Sequence, residues 1–157
     1  MPAQQLYIKT TATQSPQNGS DPVATGGWVD AYASYGLSMS GTGLSRLMTP
    51  APHKNPIVNK NILSHGESVV STPDKKDVRQ VSLEVHFHAP DEATFWQRYE
   101  SFCTQVLDPG LINIKTSFRP SVVYHFYYRE CTQFTEFRRM KAKFILILNE
   151  PHPEQRT

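Results

Sequence analysis

Hydrophobic and polar positions keep a regular period along one stretch of this chain, Arg79 to Leu148, and the pattern there reads strand, helix, strand, strand, strand. Val81, Leu83, Val85 and Phe87 alternate with Ser82, Glu84, His86 and His88, which predicts a half-buried strand. Over residues 90–107, Phe95, Tyr99, Phe102, Cys103, Val106 and Leu107 recur at helical spacing and form one apolar stripe. Pro90 suits the first helical position, and Asp91 and Glu92 place negative charge at the positive end of the helix dipole. Asp108, Pro109 and Gly110 end that helix. Ile112 and Ile114 then alternate with Asn113 and Lys115, and Val122 to Arg129 is aromatic and β-branched, as strands prefer. In the last strand Met140, Ala142, Phe144, Leu146 and Leu148 share a face. Its other face passes from Arg139, Lys141 and Lys143 to Ile145 and Ile147, so one end should be exposed and the other covered on both sides. Short links favour antiparallel pairing. The predicted class is α+β, mainly β: an antiparallel sandwich or sheet with one helix, about residues 90–107, packed across it.

Outside this stretch the pattern is weaker. Leu6 to Lys9 reads as a short strand, and Thr10 to Gly27, rich in Thr, Ser, Gln, Asn, Gly and Pro, as a mobile arm. Trp28 to Met39 reads as a strand leading into a bend at Gly36 and a second strand from Leu37. Ser40, Gly41, Thr42 and Gly43 signal a turn, followed by a short helical or extended segment, Leu44 to Met48. From Thr49 to Asp77 prolines and lysines dominate, and the apolar residues of size are Ile57, Val58, Ile62, Leu63, Val69 and Val70. So long a segment with so thin a core predicts an extended excursion or long hairpin that orders against a neighbour. The expected layout is a flexible arm over 1–27, one domain over 28–151 with a projecting loop over 49–77, and a polar tail over 152–157.

Composition narrows the function. A chain of 157 residues can bury a core without disulfides or metal, but 38% hydrophobic residues and 12 prolines point to a modest core carrying polar arms. Sixteen basic against 14 acidic residues give a net charge of +2, too balanced for a global attraction to nucleic acid or anionic membrane. Cys103, on the apolar helix stripe, and Cys131, placed just after a strand, read as buried thiols in a reducing compartment. The start shows no secretory pattern and no apolar run approaches the roughly 20 residues of a bilayer span. Synthesis in a cytoplasm without membrane contact is expected.

Candidate chemistry is sparse. His86 and His88 have a spacing that can hold zinc or nickel, yet only Glu84 is offered nearby as a further ligand, so solvated histidines are expected and a small metal-dependent enzyme using them is the lesser rival reading. Cys103 with His125 has the residue types of a nucleophile and base, but a cysteine on a buried stripe is more often packing. The glycine pairs Gly26-Gly27 and Gly41-Thr42-Gly43 lack a phosphate-loop context. Arg138, Arg139, Lys141 and Lys143, with Tyr124, Tyr127 and Tyr128 expected nearby, suggest a single-strand nucleic-acid module as the rival reading. Against it stands a solvated strand face or an inter-subunit row paired with Glu84 and Glu136. No catalytic, cofactor or metal residues are assigned. Self-assembly is the favoured reading, with Lys54, Ile57, Val58, Lys60, Ile62, Leu63, Val69, Val70, Arg139 and Lys141 as subunit-interface candidates.

The order Trp28 to Gly36, Lys54, Arg79 to Val85, an aromatic helix, the Tyr124 strand and Phe144 to Pro151 resembles small tail proteins of long-tailed bacteriophages and prophages. It is similar to the ring-forming domain of distal tail proteins, which itself resembles the tail-tube fold. The resemblance runs over roughly Trp28 to Pro151 and rests on order and texture. It implies a non-enzymatic virion subunit without cofactors, assembled in the bacterial host cytoplasm. It further implies a homo-oligomeric ring, a hexamer, that touches adjacent tail proteins and surrounds DNA only as passing cargo. Many distal tail proteins carry a second, carbohydrate-binding-like domain for which this chain has no room. Distal ring, tube and tail-completion roles stay open.

Overall fold

The computed structural model describes residues 6–13, 26–39, 41–63, 65–71 and 75–156. In chain order the elements are β1 Leu6–Lys9, β2 Val29–Asp30, α1 Ala31–Tyr35, β3 Leu37–Met39, α2 Gly41–Met48, β4 Ile57–Lys60 and β5 Glu67–Ser71. Then follow β6 Arg79–His88, α3 Glu92–Phe102, β7 Leu111–Thr116, β8 Arg119–Arg138 and β9 Lys141–Glu150. The fold is mainly β. Seven strands in the order β2-β1-β7-β8-β9-β6-β3 make one curled antiparallel sheet, while β4 and β5 make a separate two-stranded sheet. Of the sandwich and sheet alternatives, the chain takes the sheet.

The alternating residues of β6 are buried as their pattern requires, from Val81 to Phe87. β9 pairs with β6 on one side and β8 on the other, and its residues from Leu146 to Glu150 are all buried while Lys141 is exposed. Two-sided burial at one end of this strand is thus as expected. α1 and α3 cover the core face, where Phe87 stacks on Phe144 at 5.2 Å and meets Phe102 edge-on at 5.0 Å.

The helix is shorter than its stripe. Asp91, not Pro90, opens it: the Asp91 carboxylate accepts from the Thr94 backbone N–H at 2.7 Å and from the Thr94 hydroxyl at 2.9 Å. α3 gives way after Phe102 to one π turn, Cys103–Leu107, closed by Asp108 N–H donating to the Cys103 carbonyl at 2.9 Å. Phe95, Phe102 and Val106 are buried along the stripe.

The strand expected before Gly36 is present only as β2, Val29–Asp30, and Ala31–Tyr35 is instead helical. Asp30 caps α1 by accepting from the N–H groups of Tyr32 and Ala33, and Gly36 closes it in the left-handed conformation, φ 67°. Gly36 also lies against β6, where a Cβ would stand 2.1 Å from the His88 carbonyl oxygen. Likewise Gly41 and Gly43, read as a turn, lie inside α2, where the absence of a side chain at Gly43 lets the helix approach Met39 and Leu83. Ser40 lies outside the described residues.

Near both ends the described chain is tied to the sheet. Leu6, Tyr7 and Ile8 are buried in β1 between β2 and β7, so the arm drawn over 1–27 holds a core strand. The arm residues 14–25 lie outside the described residues. In the tail, Pro153 is buried and the Arg156 carbonyl accepts from Val123 N–H at 2.9 Å. Arg156 joins the most buried charge cluster. Glu150 is fully buried, with Arg79 Nε 2.9 Å from Oε1, Arg156 Nη2 donating to Oε1 at 3.0 Å and Arg156 Nε to Oε2 at 3.3 Å. Arg79 Nη1 donates to the carbonyls of Leu47 at 2.7 Å and Thr49 at 2.6 Å, and its guanidinium lies over the rings of Tyr124 and Phe126. Burial lowers the Arg79 pKa and Glu150 opposes that shift; the guanidinium stays protonated.

Two expectations follow. Glu150→Gln leaves two guanidinium groups around a neutral amide and should cost about 3 kcal/mol or more, read as a lower urea midpoint at pH 7. The two Thr94 hydrogen bonds hold the Asp91 carboxyl below its ordinary pKa, so its stabilisation is present above the unfolded value and lost as pH falls through the folded one. Asp91→Ala should therefore lower stability at neutral pH and flatten the acid limb of a stability–pH curve.

Candidate assembly surface

The chain between α2 and β6 leaves the sheet and returns to it as a hairpin. At its root Lys54 N–H donates to the Lys75 carbonyl at 3.0 Å, Asp77 N–H donates to the Pro52 carbonyl at 2.7 Å, and His53 bridges Lys76. Further out β4 and β5 pair antiparallel, with Val58 opposite Val69 and an irregularity between Ile57 and Val58. Lys60 and Glu67 close the pair at 3.5 Å, both well exposed, so this ion pair contributes little. At the tip the Asn61 side-chain oxygen Oδ1 accepts from Leu63 N–H at 3.0 Å, and Gly66 takes φ 76°.

Among the side chains described, the hairpin shows no core: from Pro52 to Val78 every one is exposed except that of Val58, which is half-buried. Ile57 is 64% exposed, Ile62 100% and Leu63 90%. An isolated two-stranded hairpin is marginal in water, and apolar side chains at a loop tip face solvent at a cost. The excursion expected over 49–77 is thus a hairpin standing off the main sheet. Lys54, Ile57, Val58, Lys60, Ile62 and Leu63 all lie on it. Val69 and Val70 lie in β5, with side chains outside the described residues.

Arg139 and Lys141 are elsewhere. Arg139 sits in the β8–β9 turn with φ 52°, and Lys141 opens β9 opposite His88, the last residue of β6. The hairpin root adjoins Arg79, the first residue of β6, so the two sets of candidates are separated by the length of that strand, roughly 30 Å at about 3.4 Å per residue.

The nucleic-acid constellation comes apart for the same reason. Tyr127 and Tyr128 stand opposite Asn149 and Leu148, at the far end of β9 from Lys141, and Tyr124 is buried beneath Arg79 and Arg156. Lys143 instead lies 3.4 Å from Glu84 across the β6–β9 ladder, and His86, two residues along the same strand as Glu84, lies 3.3 Å from it. The side chains of Glu136 and Arg138 lie outside the described residues. His86 is half-buried and His88 exposed; among the described residues no group of three or more His, Cys, Asp or Glu is placed to hold a metal. Cys103 and His125 line different cavities, and His125 Nδ1 is 2.6 Å from the Asn113 side-chain oxygen Oδ1. No described helix is long and apolar enough to cross a membrane.

Cys131 lies inside β8 and is exposed, not just beyond a strand and buried. Three register shifts in β8, between Tyr128 and Glu130, Cys131 and Gln133, and Phe134 and Glu136, disguise the strand. Each inserts an extra residue, so the residues opposite Leu148, Leu146, Phe144 and Ala142 are Tyr128, Cys131, Phe134 and Phe137, three apart instead of two. This brings Cys131 to the same cleft as half-buried Cys103, a cavity of about 280 Å³ also lined by Tyr99, Leu107, Tyr128 and Leu146. Burial raises the Cys103 thiol pKa, a hydrogen bond with Tyr99 lowers it, and Asp108 raises it further.

No protein-family model matches the sequence, and no curated protein matches it. Among solved structures the chain is similar to the crystal structure of the Dit protein (gp 19.1) of SPP1, described as a paradigm of the hub adsorption apparatus in phages infecting Gram-positive bacteria. The two share 14% identity with a TM-score of 0.48, over 94% of this chain and 50% of that one. The chain thus spans about half the length of the solved structure it matches.

With an exposed and a half-buried, pKa-raised thiol, alkylation by N-ethylmaleimide at pH 7 should label Cys131 first and Cys103 several-fold more slowly. Peptide mass mapping over time reads the order directly.

Proposed function

We propose that this chain is a structural, non-enzymatic subunit of a bacteriophage tail. Copies of it close into a ring, a hexamer, as a distal tail or tube component around the DNA channel, through the β4–β5 hairpin. One observation carries the assembly part of this reading. Nearly every residue of the 27-residue excursion, 52–78, whose side chain is described is exposed, Ile57, Ile62 and Leu63 included, and among these side chains the hairpin shows no core of its own. Covering it with a neighbouring subunit supplies what it lacks. The tail assignment draws on the resemblance in Trp28–Pro151, with a mainly β domain in the order it implies. Adjacent tail proteins are the further partners, and the virion tail is the place of action.

The rival nucleic-acid reading loses its support once Tyr124, Tyr127 and Tyr128 are separated from Lys141.

Replacing Lys54–Lys76 with a short glycine turn removes no described core residue, so the variant should keep a cooperative melt and its far-ultraviolet signature. It should run as a monomer in sedimentation while the full chain gives a sixfold species. Rings formed by the shortened protein, or a full chain that stays monomeric at every concentration, would overturn the proposal.

A further inference from the structure

The hairpin tip and the cleft between the end of α3 and β8 are two surfaces on which apolar contact is left unfinished. We infer that they are one contact: Ile62 and Leu63 of one copy seat in the cleft lined by Tyr99, Leu107, Tyr128 and Cys131 on the next. This rests on the ring reading above and names the socket that reading needs.

Size is the first argument. The cleft holds about 280 Å³, and its walls reach down to the buried rings of Phe102 and Phe144 and to Leu146. That is below the roughly 300 Å³ at which small-molecule pockets begin. It exceeds the about 150 Å³ that suffices for a benzene ring in an apolar cavity. One or two aliphatic side chains fit such a volume. Ile62 and Leu63 are adjacent and 100% and 90% exposed, so the tip presents such a pair.

Charge is the second. Asp108 lines the cleft, and Asp108, Glu100 and Glu130 act on the Cys103 thiol and the Tyr128 phenol. Over 52–78 the sequence carries Lys54, Lys60, Lys75 and Lys76 against Glu67, Asp74 and Asp77, a balance of +1 opposed to a negative rim. Such complementarity steers approach and fixes orientation more than it adds affinity.

Symmetry is the third. Within one copy the tip is solvent-exposed, so its own cleft does not receive it. Tip and cleft are different surfaces, which makes the contact heterologous. Each copy donates one tip and accepts one, and such head-to-tail contacts close into rings when the rotation allows.

Cys131 sits at the cleft and makes the contact testable without a second engineered site. Leu63→Cys, at an exposed tip, should not disturb folding. Under oxidised glutathione it should give disulfide-linked multimers in which the introduced thiol is joined to a cleft thiol, Cys131 or Cys103, of another copy, seen by peptide mass spectrometry. Leu63→Asp in the unmodified background should weaken association about tenfold or more. If the protein assembles but the introduced thiol finds neither cysteine, or Leu63→Asp leaves association unchanged, the cleft is not the seat and the ring reading stands. A link formed within a single chain also overturns the seat. A chain that is monomeric before oxidation at every concentration overturns the ring reading, and the seat with it.

Discussion

Arg79 and Glu150 are partners across the β6–β9 ladder, 71 residues apart in sequence, and their side chains meet where almost no water reaches. Taking both charges out of water costs several kcal/mol each, so the pair alone is a poor source of stability. Its return is positional. Arg79 also holds the carbonyls of Leu47 and Thr49, which belong to the last turn of α2 and the residue just past it, and so satisfies groups a helix end leaves open. Tyr124 and Phe126 present ring faces from β8, and Arg156 brings the C-terminal segment onto the same carboxylate. One corner therefore binds β6, β8, β9, α2 and the tail. The hairpin leaves the body just after Thr49 and rejoins it just before Arg79, so the corner fixes both ends of the root of an element that has no core to fix itself.

The parts of this fold that show in the sequence are those whose burial follows one strict period. β6, β7 and β9 alternate by two, and the helix stripe from Phe95 to Val106 keeps its period even though the backbone widens to a π turn beneath it. Where a second rule competes, the period misleads. Trp28 to Tyr35 has the aromatic texture of a strand, but Asp30 and Gly36 supply a cap at each end of a five-residue turn, and capping wins over a short β preference. In β8 three inserted residues stretch the spacing to three, so the strand fades from view after Arg129 while its backbone runs on to Arg138. The cleft was hidden with it, because Cys131 joins Cys103 only through that altered register. Arg79 and Glu150 gave no signal at all: at strand ends they read as ordinary surface charges, and only the register between them reveals the corner.

The same sheet also limits where neighbours can attach. Its outermost strands are short, Val29–Asp30 on one side and Leu37–Met39 on the other. β3 pairs with Val85, His86 and Phe87 only, leaving the first half of β6 with an open side. There α2 packs, and Arg46 Nη1 donates to the Ser82 carbonyl at 3.0 Å. Short edges and a covering helix are how sheets avoid pairing with other chains. Strand-to-strand extension of the main sheet is therefore disfavoured at both ends. Among the described residues β4 and β5 carry no such protection: they form a two-stranded sheet, and no third described strand covers the outer edge of either. A contact that begins with apolar side chains seating in a cleft can be completed by backbone pairing along such an edge. The proposal of assembly through this hairpin thus draws on what the body of the domain has already closed off, as much as on what the hairpin exposes.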